Sequence, residues 1–141
     1  MARRIGGVLI CALSLCFLFS TAARAHHSFT AEFDIYQPVI LNHATITKTD
    51  WINPHCQIYV DVKDESGKTQ TWKIESWGTG NLHRAGLSRE LLAPGTVVNM
   101  RGYKAKDGSN MAYLRNIEFS DGTKFELWIG GANGNADAQR N

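Results

Sequence analysis

The chain has 141 residues, with 15 Lys+Arg, 13 Asp+Glu and three cysteines, a size that suits one domain around one core. Arg3, Arg4 and Arg24 lie in the first 25 residues with no acid beside them, which leaves 12 bases against 13 acids and a net charge of −1 for the remainder. A near-neutral domain has no basic footprint for nucleic acid, so that partner class is excluded from the expectation.

Residues 1–25 have the three parts of a secretory signal peptide. Arg3 and Arg4 supply the charge, "IGGVLICALSLCFLF" the apolar run, and Ala23 and Ala25 the small residues of an A-x-A cleavage site. The run is shorter than the ~20 residues a spanning helix needs, so no membrane span is expected after cleavage. The expected location is periplasmic or secreted. Cys11 and Cys16 leave with the signal, and Cys56 alone cannot form an internal disulfide.

Residues 26–38 read as an N-terminal arm, residues 39–129 as the folded domain and 130–141, rich in Gly and Asn, as a disordered tail. Within the domain, "VILNHATITKTDW" (39–51) is rich in β-branched residues and reads as the first strand. Asn53-Pro54 turns the chain into "HCQIYVDV" (55–62), which alternates cleanly. "KDESGK" reads as a hairpin loop before "TQTWKIES" (69–76). A short helix follows over 80–86, with Thr79 or Asn81 as cap and Gly86 as stop, then another turn over 88–92 capped by Ser88. After Pro94-Gly95 come strands at 96–105 and 111–119, joined by "KDGSN". An Asp-Gly turn leads to a short extra strand in "SDGTKFELW".

Three strands, a helix and two strands make the order of a mainly all-β fold: a small five-stranded, OB-like Greek-key barrel with one short helix between strands 3 and 4. A plain β-sandwich is the alternative. Alternation sends Cys56, Ile58, Val60 and Val62 inward and His55, Gln57, Tyr59 and Asp61 outward. With Trp72 and Ile74 inward, Thr71, Lys73, Glu75 and Trp77 face out beside them. The outer face of strands two and three is the usual ligand platform of such barrels. Trp51, Asn53, Gln57, Tyr59, Lys73 and Trp77, with His55 at the rim, therefore form a candidate site for a small molecule or protein. An ordinary half-polar sheet surface is the plain alternative.

Cleavage after Ala25 would expose His26-His27. An N-terminal His offers both its α-amine and its ring nitrogen, and copper(II) and nickel favour such ligands. His26, His27 and His55 are thus candidate metal ligands, for copper or another transition metal, and two adjacent histidines as a plain polar end of the chain are the alternative. Cys56 faces the other way as a small hydrophobe, and His43 and His83 read as incidental. There is no G-x-S-x-G elbow, no phosphate loop and no H-E-x-x-H, and the acids show no certified pairing, which points away from an enzyme.

"AHHSFTAEFD", "WINPH", "YVDVKDESGK", "LLAPGTVVNMRGYKAKDGSN" and "LRNIEFSDGTKF" resemble, in that order, a family of small exported bacterial proteins of unknown function, DUF6152. The resemblance implies an exported small β-barrel without an assigned biochemical role. Its motifs fall on His26, His27, Trp51, Asn53, Pro54 and His55, whereas "SWGTGNLHRAGLS" departs from the family's usual Pro-Asn. The leading reading is a non-catalytic periplasmic binding or accessory protein. A transition-metal binder is the second, and a copper-dependent enzyme the third.

Overall fold

The structure, a computed structural model, describes residues 29–127. The expected signal peptide, His26, His27 and the expected tail at 130–141 lie outside them. A helical turn α1 (Phe29–Glu32) leads into β1 (Phe33–Asp50), followed by β2 (Gln57–Lys63), β3 (Thr69–Glu75), α2 (Thr79–Arg84), β4 (Val97–Ala105), β5 (Met111–Phe119) and β6 (Lys124–Glu126).

β1 does most to shape the barrel. It pairs antiparallel with β4 through Phe33↔Ala105 to Thr45↔Val97, and with β2 through Thr45↔Asp61 to Asp50↔Gln57. One long strand serves both neighbours because register shifts bend it between Asp34 and Pro38, Leu41 and Ala44, and Ile46 and Lys48. At the second bend His43 takes a positive φ of 53°, and its N–H donates to Asn99 Oδ1 at 2.9 Å. The strand begins six residues before the expected Val39. Pro38 lacks a ladder donor, but it sits at the edge of a bulge where none is needed.

β2 and β3 form a hairpin, β4 and β5 another, and a short parallel pairing of β3 with β5, Lys73↔Met111 to Glu75↔Tyr113, closes the ring. The resulting order β1-β2-β3-β5-β4 is that of an OB-like barrel, as the order of elements suggested. β6 adds to the free half of β5. The interior holds Ile46, Ile58, Val60, Ile74, Met100, Leu114 and Ile117, and Leu82 of α2 is fully buried among them. Cys56 is buried too, and desolvation pushes its thiol up to about 11, so it packs as a hydrophobe.

α2 is shorter than expected and its start is capped differently. Gly86 ends it with φ 92°: Gly86 N–H donates to His83 O, and Leu87 N–H to Leu82 O, a Schellman closure. The first turn has no local side-chain cap. Asn53, from the loop after β1, does that work instead: its Oδ1 accepts from Thr79 N–H at 3.0 Å and from Thr79 Oγ1 at 3.1 Å. Asn81 is occupied by the Arg84 guanidinium. Ser88 caps the next turn, accepting from Leu91 N–H at 3.4 Å.

Candidate functional site

The segment Trp51–His55 is where the loop, α2 and the barrel rim meet. Trp51 lies half-buried against the core, and the Asn53–Pro54 bond is cis. Gly78 adopts an ordinary φ of −64°, yet only glycine fits there. A Cβ would stand 2.6 Å from the Pro54 carbonyl and 2.7 Å from Asn53 Oδ1. The loop is therefore pressed onto the helix start, and His55 leaves it in a fixed direction. Cys56 N–H donates to Trp77 O at 3.1 Å and Ser76 N–H to Cys56 O at 2.9 Å, which extends the β2–β3 ladder past Glu75.

His55 Nδ1 lies 2.6 Å from Glu75 Oε1. Gln57 Nε2 donates to the other oxygen at 3.3 Å. The Glu75 side chain is almost wholly buried, and a buried carboxylate is tolerable only when donors meet it. Tyr113, opposite Glu75 across the parallel pairing, is buried as well. Desolvation, and then the nearby Glu75 charge, push its hydroxyl up to about 12, so it stays a neutral donor. Its ring meets His55 edge-on at 6.5 Å and Phe29 at 5.0 Å, while Phe29 stacks on Phe33 at 5.5 Å. The result is a histidine–carboxylate pair beside an aromatic cluster at one barrel end.

Only part of the expected platform assembles. His55 and Gln57 share Glu75, and Tyr59 with Lys73 forms the next cross-strand pair. Lys48 sets its amine 5.2 Å over the Tyr59 ring, and Asp61 accepts from Thr71 Oγ1 at 2.6 Å. Asn53 is spent on α2. Trp77 corrects the face assignment: it is 8 % exposed and belongs to the core. Alternation stops with β3 at Glu75, and Glu75, Ser76 and Trp77 are all buried where the chain turns under the rim. Trp72 keeps the inward face opposite Val60 but lies half-buried at the barrel end, with Lys104 Nζ 5.6 Å over its ring.

Glu75, Tyr113 and Phe29 were not among the expected site residues. The hairpin register would have put Glu75 opposite Gln57. Nothing local marks Tyr113 or Phe29. The pair resembles an acid–base dyad. Ser76 Oγ and Cys56 face the interior, and Ser76 Oγ has no hydrogen-bond partner among the described residues. No group of three His, Cys, Asp or Glu that would hold a metal exists among those residues. No described helix is long and apolar enough to cross a membrane.

The topology and this end-on cluster define a single OB-like barrel with a polar, aromatic-lined rim. The family of unknown function DUF6152 matches residues 15–114, well over half of the chain, and the protein belongs to that family. No curated protein matches it. The N-terminal domain of PriB from Thermoanaerobacter tencongensis is similar in structure, with 15% identity, a TM-score of 0.43, and 60% of this chain and 96% of that one covered. A mitochondrial single-stranded DNA binding protein of S. cerevisiae gives 11% identity and a TM-score of 0.44, with 62% and 95% covered.

Proposed function

We propose that the protein is an exported, non-catalytic binding or accessory module of the periplasm, with its ligand site at the barrel end around His55, Glu75, Gln57 and Tyr113. The signal-like residues 1–25 support the export part. The binding part is carried by one observation, the 2.6 Å contact between His55 and a buried Glu75. The carboxylate engages Nδ1 and so leaves Nε2, on a side chain 43% exposed, as the nitrogen that faces a ligand. Tyr59 and Lys73 on the adjoining rung extend the surface around it, and the buried Tyr113 ring with the half-buried Phe29 backs it from below.

The test uses protein recovered from the periplasmic extract of a Gram-negative host. Its mass should correspond to a chain starting at His26. In its amide NMR spectrum, a set of small polar and aromatic fragments should shift residues 55–57, 73–76 and 113. An open polar hollow of about 330 Å³ lies elsewhere, lined by Asn42, Asn99, Arg101, Asn116, Glu118 and Lys124. Shifts confined to that hollow, or a cytoplasmic unprocessed product, would refute the proposal.

A further inference from the structure

We infer that the open hollow on the outer wall of β1, β4, β5 and β6 is a second binding site, for a small hydroxylated carboxylate of the sugar-acid class. None of the residues of the His55 end lines it, so the inference goes beyond the function proposed above and does not rest on it.

Strand register builds the wall. Ile40, Arg101, Asn116 and Glu126 stand on one rung across the four strands. The next rung, Leu41, Met100, Ile117 and Phe125, turns inward, with Leu41, Met100 and Ile117 buried. The rung after it brings Asn99, Glu118 and Lys124 back to the outer face. The wall of a closed barrel is ordinarily convex. The hollow lies where the register shift between Leu41 and Ala44 bends β1 and where β6 extends the sheet past β5. Its volume of about 330 Å³ has room for one sugar-sized molecule.

One of its donors is fixed in advance. In the β1 bend His43 has a φ of 53°, a conformation that is costly for a residue with a side chain. The bond from His43 N–H to Asn99 Oδ1 at 2.9 Å holds it there. A backbone N–H can only donate, so the Asn99 amide is oriented with its oxygen occupied and its two N–H donors left for the hollow. The Asn42 and Asn116 side chains line the same hollow with no hydrogen-bond partner among the described residues, so each offers donors and an acceptor.

Charge then selects the ligand. Glu118 is met by Lys124 Nζ at 3.3 Å, and Glu126 by Arg115 Nη2 at 3.8 Å. Arg101 is exposed and has no ion pair or hydrogen bond from its side chain among the described residues. Its guanidinium is thus the uncommitted cation of the hollow, a planar fork that matches one carboxylate. The amides beside it suit hydroxyls, which donate and accept at once. A phosphate dianion would meet that one cation together with Glu118 and Glu126, which counts against it. An apolar ligand finds little to cover, because Met100 and Ile117 beneath are already buried.

The experiment titrates isotope-labelled protein with glucuronate and follows the amide NMR spectrum, with glucose, acetate and inorganic phosphate as comparison arms. The expected result is saturable binding of glucuronate that shifts Asn42, Asn99, Arg101, Asn116 and Glu118. It should be at least about tenfold tighter than glucose, acetate or phosphate. Arg101→Gln should bring glucuronate down to the level of glucose, and Arg101→Lys, which keeps the charge without the fork, should fall between. Spectra away from the hollow report the fold of each variant. Glucuronate no tighter than glucose or acetate, a preference for phosphate, shifts away from the hollow, or full affinity in Arg101→Gln would each overturn the proposal. The fragment-induced shifts around His55 are a separate readout. If they are missing while glucuronate binds, the rim site falls and this one stands; if they appear without glucuronate binding, only the hollow falls.

Discussion

Burying the Glu75 carboxylate costs free energy that only its donors offset, and His55, just ahead of β2, and Gln57, its first residue, provide them. The contrast at the residue scale is Asp64, a carboxylate in solvent. It accepts from Ser66 Oγ at 2.6 Å, Gln70 Nε2 at 3.0 Å, and the N–H groups of Lys68 and Ser66. These bonds, the Ser66 hydroxyl first, hold its pKa down to about 2. A carboxyl with a depressed native pKa adds stability above its ordinary range, and that stability is lost as pH falls from about 4 toward about 2. The melting-temperature gap between wild type and Asp64→Asn should therefore be full at about pH 5 and close across that window. A gap that does not change with pH would show that the loop bonds do not depend on the charge.

At the scale of elements, the five residues Trp51–His55 work as one part. Trp51 covers the core edge, Asn53 caps α2, Pro54 rests on Gly78, and His55 reaches Glu75. Gly78→Ala tests this coupling, because its backbone torsions suit any residue and only space forbids the methyl group. Overpacking of this kind typically costs 1–3 kcal/mol, so a loss of about that size is expected in urea unfolding. Faster amide exchange at Thr79 should accompany it, as the Asn53 cap is pushed away. An unchanged midpoint would mean that the loop yields freely and does not aim His55.

At the scale of the molecule, α1 and the start of β1 form a lid of aromatic rings over the barrel end. Phe29 is half-buried and contacts the rings of Phe33, Tyr103 and Tyr113. Removing it forfeits part of a side-chain burial and the ring contacts, about 1–2 kcal/mol together. In a domain of this size, Phe29→Ala should lower the melting temperature by roughly 4–16 °C in a thermal scan. A shift below 1 °C, within the error of such a scan, would show that the segment is not docked as described.

Much of this architecture was legible because the signals are local. β-branched alternation placed Cys56, Ile58 and Val60 inward, and the Asp-Gly and Pro-Gly turns bounded β5 at Met111–Phe119 and β4 to within a residue. A Gly in the left-handed region after α2 was readable for the same reason. These features depend on neighbours a few positions apart, so the amino-acid order alone marked most strand bounds and the helix between strands 3 and 4, while the early start of β1 at Phe33 and the β3–β5 closure needed the fold. The site was decided by contacts between distant segments. The parallel pairing of β3 with β5 sets Tyr113 against Glu75, the descent of the chain after Glu75 turns Trp77 into the core, and Asn53 caps a helix from another loop. Such contacts form only when the barrel closes, because register between segments remote in sequence is set by the packing of the whole core and leaves no periodic trace in either segment.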